Sequence, residues 1–229
     1  MSGHTMNARA ARHVLFDLDG TLVDTRAAVE CTYRKVFSDV LDRDFPPPNL
    51  PAEVFAMRPA EVFHEVEPGR AEELYDAYQR SYPTCSGHVR TFDGAADLVR
   101  DLIADGRKPS LVTNKGLERT LMDLSVAGIP PEQFAAIVTA EDTVERKPHP
   151  APILLGLQRA GADAANAIYV GDGPQDILAA RACGMECISV TYGFYGVEEL
   201  QGLGPRSIAA TIAELAEELG VGAFRGTTA

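Results

Sequence analysis

Asp17 and Asp19 stand at the end of an apolar run, spaced i and i+2, in the segment His13-Val14-Leu15-Phe16-Asp17-Leu18-Asp19-Gly20-Thr21-Leu22-Val23-Asp24. Carboxylates at the exit of a buried strand repel each other and lose hydration, so they need a cation, a shared proton or strong hydrogen-bond donors. A hard metal ion meets that need. Gly20 lets the chain turn away from the strand, and Thr21 adds a hydroxyl beside the turn. Asp-Gly is also a common hairpin dipeptide, so this pair takes its meaning from the rest of the chain.

Three later segments repeat the pattern of an apolar run ending in chemically useful residues. Pro109-Ser110-Leu111-Val112 leads into Thr113, Asn114 and Lys115, and Gly116 opens a periodic helix with Leu117, Leu121 and Leu124 on one face. A hydroxyl beside the free N–H groups of a helix start suits a phosphate, although an isolated Thr-Asn reads first as an N-cap. Arg146-Lys147-Pro148-His149-Pro150 places a cation before a rigid pair of prolines, the second of which starts another helix. Finally, Ala167-Ile168-Tyr169-Val170-Gly171 runs into Asp172 in a Gly-Asp-Gly turn, with Asp176 four residues later in the first turn of a helix. The helix dipole accounts for Asp176 as a capping charge; it does not account for Asp172.

These four segments need a scaffold that gathers strand ends. Strands over 13–17, 109–113, 136–139, 167–171 and 187–191 alternate with helical patterns, which makes this an α/β chain with a doubly wound parallel sheet, a Rossmann-like core with helices on both faces. Ligands of such sheets collect beyond the carboxyl ends of the strands, where all four segments lie. About 90 residues separate the first two strands, far more than a crossover requires. Residues 24–90 therefore read as a helical insertion, with helices at 24–43 and 68–82 and Pro46-Pro47-Pro48 between them, and residues 1–23 and 91–229 read as the core. Within the insertion Pro51-Ala-Glu-Val-Phe55 recurs as Pro59-Ala-Glu-Val-Phe63, each copy suited to open a helical turn. Arg58 lies between the copies and reads as a solvated side chain, the alternative being a bidentate contact to a substrate carboxylate. His64 and His88 have no partner visible in sequence. Residues 207–220, with Ile208, Ile212, Leu215 and Leu219 on one face, read as a helix docked on the core, and residues 226–229 as a frayed tail.

Composition narrows the class. A chain of 229 residues can bury a sizeable core plus an insertion. It has no apolar run of about 18 residues and no signal-peptide centre in residues 1–12, so the expectation is a cytoplasmic protein without a membrane span. The formal charge of −12 argues against nucleic acid as partner and leaves a small anionic substrate gathered by local cations. Cys31, Cys85, Cys183 and Cys187 show no Cys-x-x-Cys pairing, and neither zinc nor a disulfide framework is expected. Nothing in the chain demands a partner, so monomer and homodimer both stand.

Taken together, Asp17-Leu18-Asp19-Gly20-Thr21, Thr113-Asn114, Lys147-Pro148 and Gly171-Asp172-x-x-x-Asp176 resemble the four ordered motifs of the haloacid dehalogenase-like hydrolase superfamily. Val112-Thr-Asn-Lys115, Lys147-Pro-His-Pro-Ala-Pro152, Asp176-Ile-Leu-Ala-Ala-Arg181 and Thr191-Tyr-Gly193 look most like its phosphoglycolate phosphatase group. The resemblance implies a Mg²⁺-dependent phosphatase acting on a small phosphorylated metabolite, with residues 24–90 as a cap over the site. Asp17 would be the nucleophile, forming an aspartyl-phosphate, and Asp19 the general acid and base. Mg²⁺ would be held by Asp17, the Asp19 backbone carbonyl and Asp172, with Asp176 behind them or acting through water. Thr113, the Asn114 N–H and Lys147 would bind the phosphoryl oxygens.

The resemblance also ranks rivals. Family members that cleave carbon–halogen bonds lack an aspartate at the position of Asp19, which favours phosphoryl chemistry. A phosphonate hydrolase would need a cap lysine, and Lys35 is the only lysine in the insertion. Pyrophosphatase, sugar-phosphate phosphatase and phosphoglucomutase activities share the framework. Outside enzymes, the rivals are a catalytically silent phosphate-binding protein and a receiver domain, the latter disfavoured by the large insertion after the first strand.

Overall fold

A computed structural model describes residues 8–48, 50, 52–55 and 57–222, with the backbone alone at residues 52 and 53. The tail at 226–229, residues 1–7 of the N-terminal segment and Pro51 of the first repeat copy lie outside the described residues.

Six strands form one parallel sheet in the order β5-β4-β1-β6-β7-β8: β1 (His13–Phe16), β4 (Lys108–Val112), β5 (Ile137–Val138), β6 (Ala167–Gly171), β7 (Glu186–Val190) and β8 (Ser207–Ala209). β1 and β6 are buried along their whole length, as continuous apolar runs must be when helices cover both faces. The register sets Phe16 opposite Leu111 on one side and Val170 on the other, so Asp17, Thr113 and Asp172 leave three adjacent strands at one edge of the sheet. From β1 the strand order runs one way through β4 to β5 and the other way through β6 to β8, and the crevice at that reversal is where a doubly wound sheet binds ligand. The covering helices are α4 (Ala95–Ala104), α5 (Leu117–Ala127), α6 (Ala151–Ala160), α7 (Pro174–Ala182), α8 (Val197–Gln201) and α9 (Ile212–Leu219).

The sixth strand corrects the sequence reading of 207–220 as one helix. Ser207–Ala209 pairs in parallel with Ile188–Val190, and the helix begins only at Ile212, where the Thr211 side chain accepts the Glu214 N–H at 3.1 Å. Ile208 lies four residues before Ile212 and so fell on the helical stripe by spacing alone. Ile212, Leu215 and Leu219 are buried.

Between β1 and β4 the chain leaves the core through β2 (Val23–Asp24) and returns through β3 (Arg90–Thr91), which pair antiparallel. The segment between them holds α1 (Arg26–Leu41), α2 (Pro59–Val66) and α3 (Ala71–Cys85). Aromatic packing ties it together: Tyr33 stacks on Phe45 at 4.9 Å between centroids and meets Phe63 and Tyr78 at 5.6 and 5.1 Å, in a buried cluster continuous with Phe16 and Leu18 of the core. Such edge and offset contacts add to the area that the rings bury. The second repeat copy opens α2 with Pro59 and Glu61, whose carboxylate accepts the Arg58 N–H, while residues 52–55 of the first copy form a 3₁₀ turn.

The insertion also holds a disulfide that the sequence reading did not expect. Packing of α1 on α3 brings Cys31 and Cys85 to a Cα separation of 5.8 Å, within bonding range, although 54 positions separate them along the chain. Cys183 and Cys187 are free. Among the described residues no helix is long and apolar enough to cross a membrane.

Candidate active site

Each strand exit supplies one group. Asp17 follows β1, its N–H bonded to the Val170 carbonyl at 2.9 Å and its Oδ1 accepting the Leu18 N–H at 2.7 Å. Gly20 turns the chain with φ +74°, and a Cβ there would collide with the Asp172 carboxylate, so glycine is required twice over. Asp172 follows β6 and its Oδ2 accepts the Phe194 N–H at 2.7 Å. One turn on, Asp176 receives the Gly173 N–H on Oδ2. Carboxylate oxygens of Asp17, Asp172 and Asp176 lie within 4.8 Å of one another, all three groups buried.

One cation faces that trio. Lys147, fully buried, sets Nζ 3.0 Å from Asp17 Oδ1 and 2.7 Å from Asp176 Oδ1. It also donates to the Tyr169 hydroxyl at 2.7 Å, and that hydroxyl donates to the Val112 carbonyl. Asn114 holds the lysine from the other end, its amide oxygen accepting the Lys147 N–H at 2.9 Å and its amide nitrogen donating to the Lys147 carbonyl at 3.0 Å. Sequence pointed to the Asn114 backbone N–H as a phosphate donor; the side chain proves to position the Lys147 loop. Thr113 is buried, lines the same cavity, and uses its oxygen to accept the Lys115 N–H at 3.1 Å, leaving its hydroxyl proton to donate.

Asp19 points elsewhere. Its Oδ1 accepts from the Thr25 hydroxyl at 2.6 Å and from Lys115 Nζ at 2.8 Å. Lys115 in turn pairs with Asp123 and donates to the Tyr82 hydroxyl at 3.0 Å, and Tyr82 donates to Asp123 at 2.9 Å. Sequence reasoning gave Lys115 no role and missed Asp123 and Tyr82. The leucine stripe predicted for α5 is inward only in part: Leu124 is buried, but Leu117 and Leu121 are 46% and 39% exposed, and Arg119 and Asp123 are buried instead. The first N–H of α5 is taken too, since Leu117 donates to Glu141 at 2.9 Å.

Charge follows geometry. Burial drives the Asp17 carboxyl up to about 7, with Lys147 pulling the other way and Asp176 and Asp19 adding to the rise. Asp172 is pushed well above the carboxylate range by burial and by Asp176 and Asp17. Asp19 is also desolvated, yet the Lys115 ammonium and the Thr25 hydroxyl outweigh burial and hold it below its ordinary value. Among the described residues, three buried carboxylates against a single ammonium leave uncompensated negative charge, and an all-oxygen donor set of that kind fits a hard divalent cation such as Mg²⁺.

A cavity of about 340 Å³ opens over these groups. Asp17, Asp19, Thr113, Lys147 and Asp172 line it from the core, and Val29, Phe55, Met57, Arg58 and Tyr78 from the inserted segment. Lys35 lies away from it, half exposed and 3.5 Å from Asp39, which removes the lysine that a phosphonate hydrolase would need. His64 and His88 are exposed. Arg58 reaches the cavity, but Glu61 accepts from its guanidinium.

The family model for haloacid dehalogenase-like hydrolases matches residues 14–190, from β1 to the end of β7. The chain is a haloacid dehalogenase-like hydrolase. This hydrolase is 33% identical over 199 residues to the phosphoglycolate phosphatase of Xanthomonas campestris pv. campestris (strain 8004), covering 81% of this chain and 86% of that one. It is 31% identical over 199 residues to the pyrophosphatase PpaX of Bacillus pumilus, covering 85% and 90%. Among solved structures, CbbY from Rhodobacter sphaeroides in complex with phosphate superposes on the hydrolase with a TM-score of 0.79 over 91% of this chain and 98% of that one. At 21% identity that likeness is one of fold.

Proposed function

We propose that this hydrolase is a Mg²⁺-dependent phosphatase that cleaves a small phosphomonoester, with 2-phosphoglycolate the leading candidate, through an aspartyl-phosphate on Asp17. The observation that carries the reading is the division of labour between two neighbouring carboxylates. Asp17 is fixed between Lys147 and two further acids, while Asp19, two residues on, is held apart by Thr25 and Lys115.

The Asp17 carboxylate attacks phosphorus and the bond to the leaving oxygen breaks, with that oxygen taking a proton that Asp19 relays from solvent, since Lys115 and Thr25 hold the Asp19 carboxylate ionised at rest. Asp19 then takes a proton from the water that attacks phosphorus, which releases inorganic phosphate and regenerates Asp17. Thr113, the Asn114 N–H and Lys147 bind the phosphoryl oxygens, and Lys147 also pulls the Asp17 carboxyl toward its ionised form against the effect of burial. Asp17, the Asp19 backbone carbonyl and Asp172 would hold Mg²⁺, with Asp176 supporting from behind, and the ion would supply positive charge against the carboxylates and the phosphoryl group. Residues 24–90 serve as the cap that closes the cavity and excludes water.

A phosphate-release screen tests this, run with Mg²⁺ and with chelator across phosphoglycolate, pyrophosphate, sugar phosphates and nucleoside monophosphates. Release that requires Mg²⁺ and favours phosphoglycolate supports the full reading. A preference for pyrophosphate would move the hydrolase to the activity named for the Bacillus pumilus relative; release from none of them would overturn it.

A further inference from the structure

We propose that Arg119 recognises a second oxyanion on the substrate, a carboxylate or a second phosphate, and so restricts this site to phosphate esters that carry one; this rests on reading the site as a phosphomonoester phosphatase. Arg119 projects from α5 into the cavity that holds Asp17 and Lys147 and is only 9% exposed. A guanidinium offers five donors in a fixed plane and keeps its charge, so burying one without an acceptor is costly. The other cations of the cavity have theirs: Lys147 has Asp17 and Asp176, Lys115 has Asp19 and Asp123, and Arg58 has Glu61. Among the described residues Arg119 has no carboxylate within ion-pair distance and no hydrogen-bond acceptor.

What holds Arg119 is aromatic. Its guanidinium lies 5.6 Å from the ring centroids of both Tyr78 and Tyr82. These contacts use the cation's attraction to ring faces and leave its N–H edges unspent. The charges of Lys115, Asp19 and Asp123 lie nearby, but their hydrogen bonds are made among themselves and to Thr25 and Tyr82. Charge balance therefore explains why a cation is tolerated here, and does not explain why its donors face the cavity. An oxyanion on the leaving group would take them in the bidentate geometry that a guanidinium favours. Because both tyrosines belong to α3 of the inserted segment, its seating over the core also aims the arginine.

Calorimetric titration with ligands that cannot turn over reads this contact apart from catalysis. In excess Mg²⁺, the unmodified protein should bind phosphonoacetate or methylenediphosphonate about 100-fold more tightly than ethylphosphonate, the scale expected for a buried charge-assisted pair. The tighter of the first two identifies the second group as carboxylate or phosphate. Arg119→Gln should cut the preference to within about fivefold and leave ethylphosphonate binding unchanged, with Arg119→Lys in between. Equal binding of all three ligands by the unmodified protein would overturn the proposal, as would an equal loss for all three in Arg119→Gln. A preserved preference without phosphate release would count against the catalytic reading alone.

Discussion

Lys147 and Lys115 are both buried, each donates to a tyrosine hydroxyl, and each sits between two carboxylates, yet their surroundings differ in charge. Around Lys147, Asp172 joins Asp17 and Asp176, so negative charge exceeds positive and Asp17 is driven up to about 7. Around Lys115, the carboxylates of Asp19 and Asp123 are matched by Lys115 and Arg119, and Asp19 stays below its ordinary value. One cluster invites a cation and the other is already balanced. Two carboxylates two positions apart thereby receive different environments, Asp17 with its proton affinity raised and Asp19 with it lowered.

The largest expected effect breaks the first cluster at its centre. Asp17→Asn should lower phosphate release by about 10⁴-fold or more while circular dichroism shows the fold intact, because removing a covalent nucleophile removes its pathway. Next comes the pair of lysines. In chelator, Lys147→Met and Lys115→Met should each cost about 3–5 kcal/mol in urea unfolding, since each strands buried carboxylates. Added Mg²⁺ should restore much of the loss in the first variant and little in the second; equal rescue would erase the distinction between the clusters.

A smaller effect follows from protons. In the window between the ordinary carboxylate value of 3.8 and about 7, the folded, metal-free protein holds a proton on Asp17 that the unfolded chain has released. Its stability should therefore fall, by up to a few kcal/mol, as pH rises from about 4 to 7, and Asp172 acts in the same direction. The stabilisation by Mg²⁺ should grow over the same range, because the cation competes with those protons. Chemical denaturation at several pH values, with and without Mg²⁺, measures both slopes. Smallest is Tyr82→Phe, which removes one hydroxyl from the balanced cluster and should cost about 1 kcal/mol with no change in the Mg²⁺ response.

What sequence made legible was local. An apolar run followed at once by Asp17, Thr113 or Asp172 marks a strand exit, and the parallel sheet then sets those exits side by side. The balanced cluster leaves no such mark. Tyr82 lies 33 residues from Lys115 and 41 from Asp123, and Asp123 faces inward from a part of the helix that the leucine pattern did not include. That pattern misled because α5 turns its polar residues toward the site and leaves Leu117 and Leu121 exposed. The Cys31–Cys85 bond and the β8 edge strand were hidden for the same reason, being set by packing between segments that carry no local signal of each other.

The proposed reaction turns on Asp17 carrying the phosphoryl group. Mixing the enzyme with Mg²⁺ and its best substrate, quenching in acid within a turnover and mapping peptides by mass spectrometry tests it directly. A phosphoryl adduct on the peptide bearing Asp17, absent when Mg²⁺ is chelated, is the predicted result. Rapid phosphate release with no adduct at any quench time, or an adduct on another residue, would remove Asp17 from the nucleophile's role.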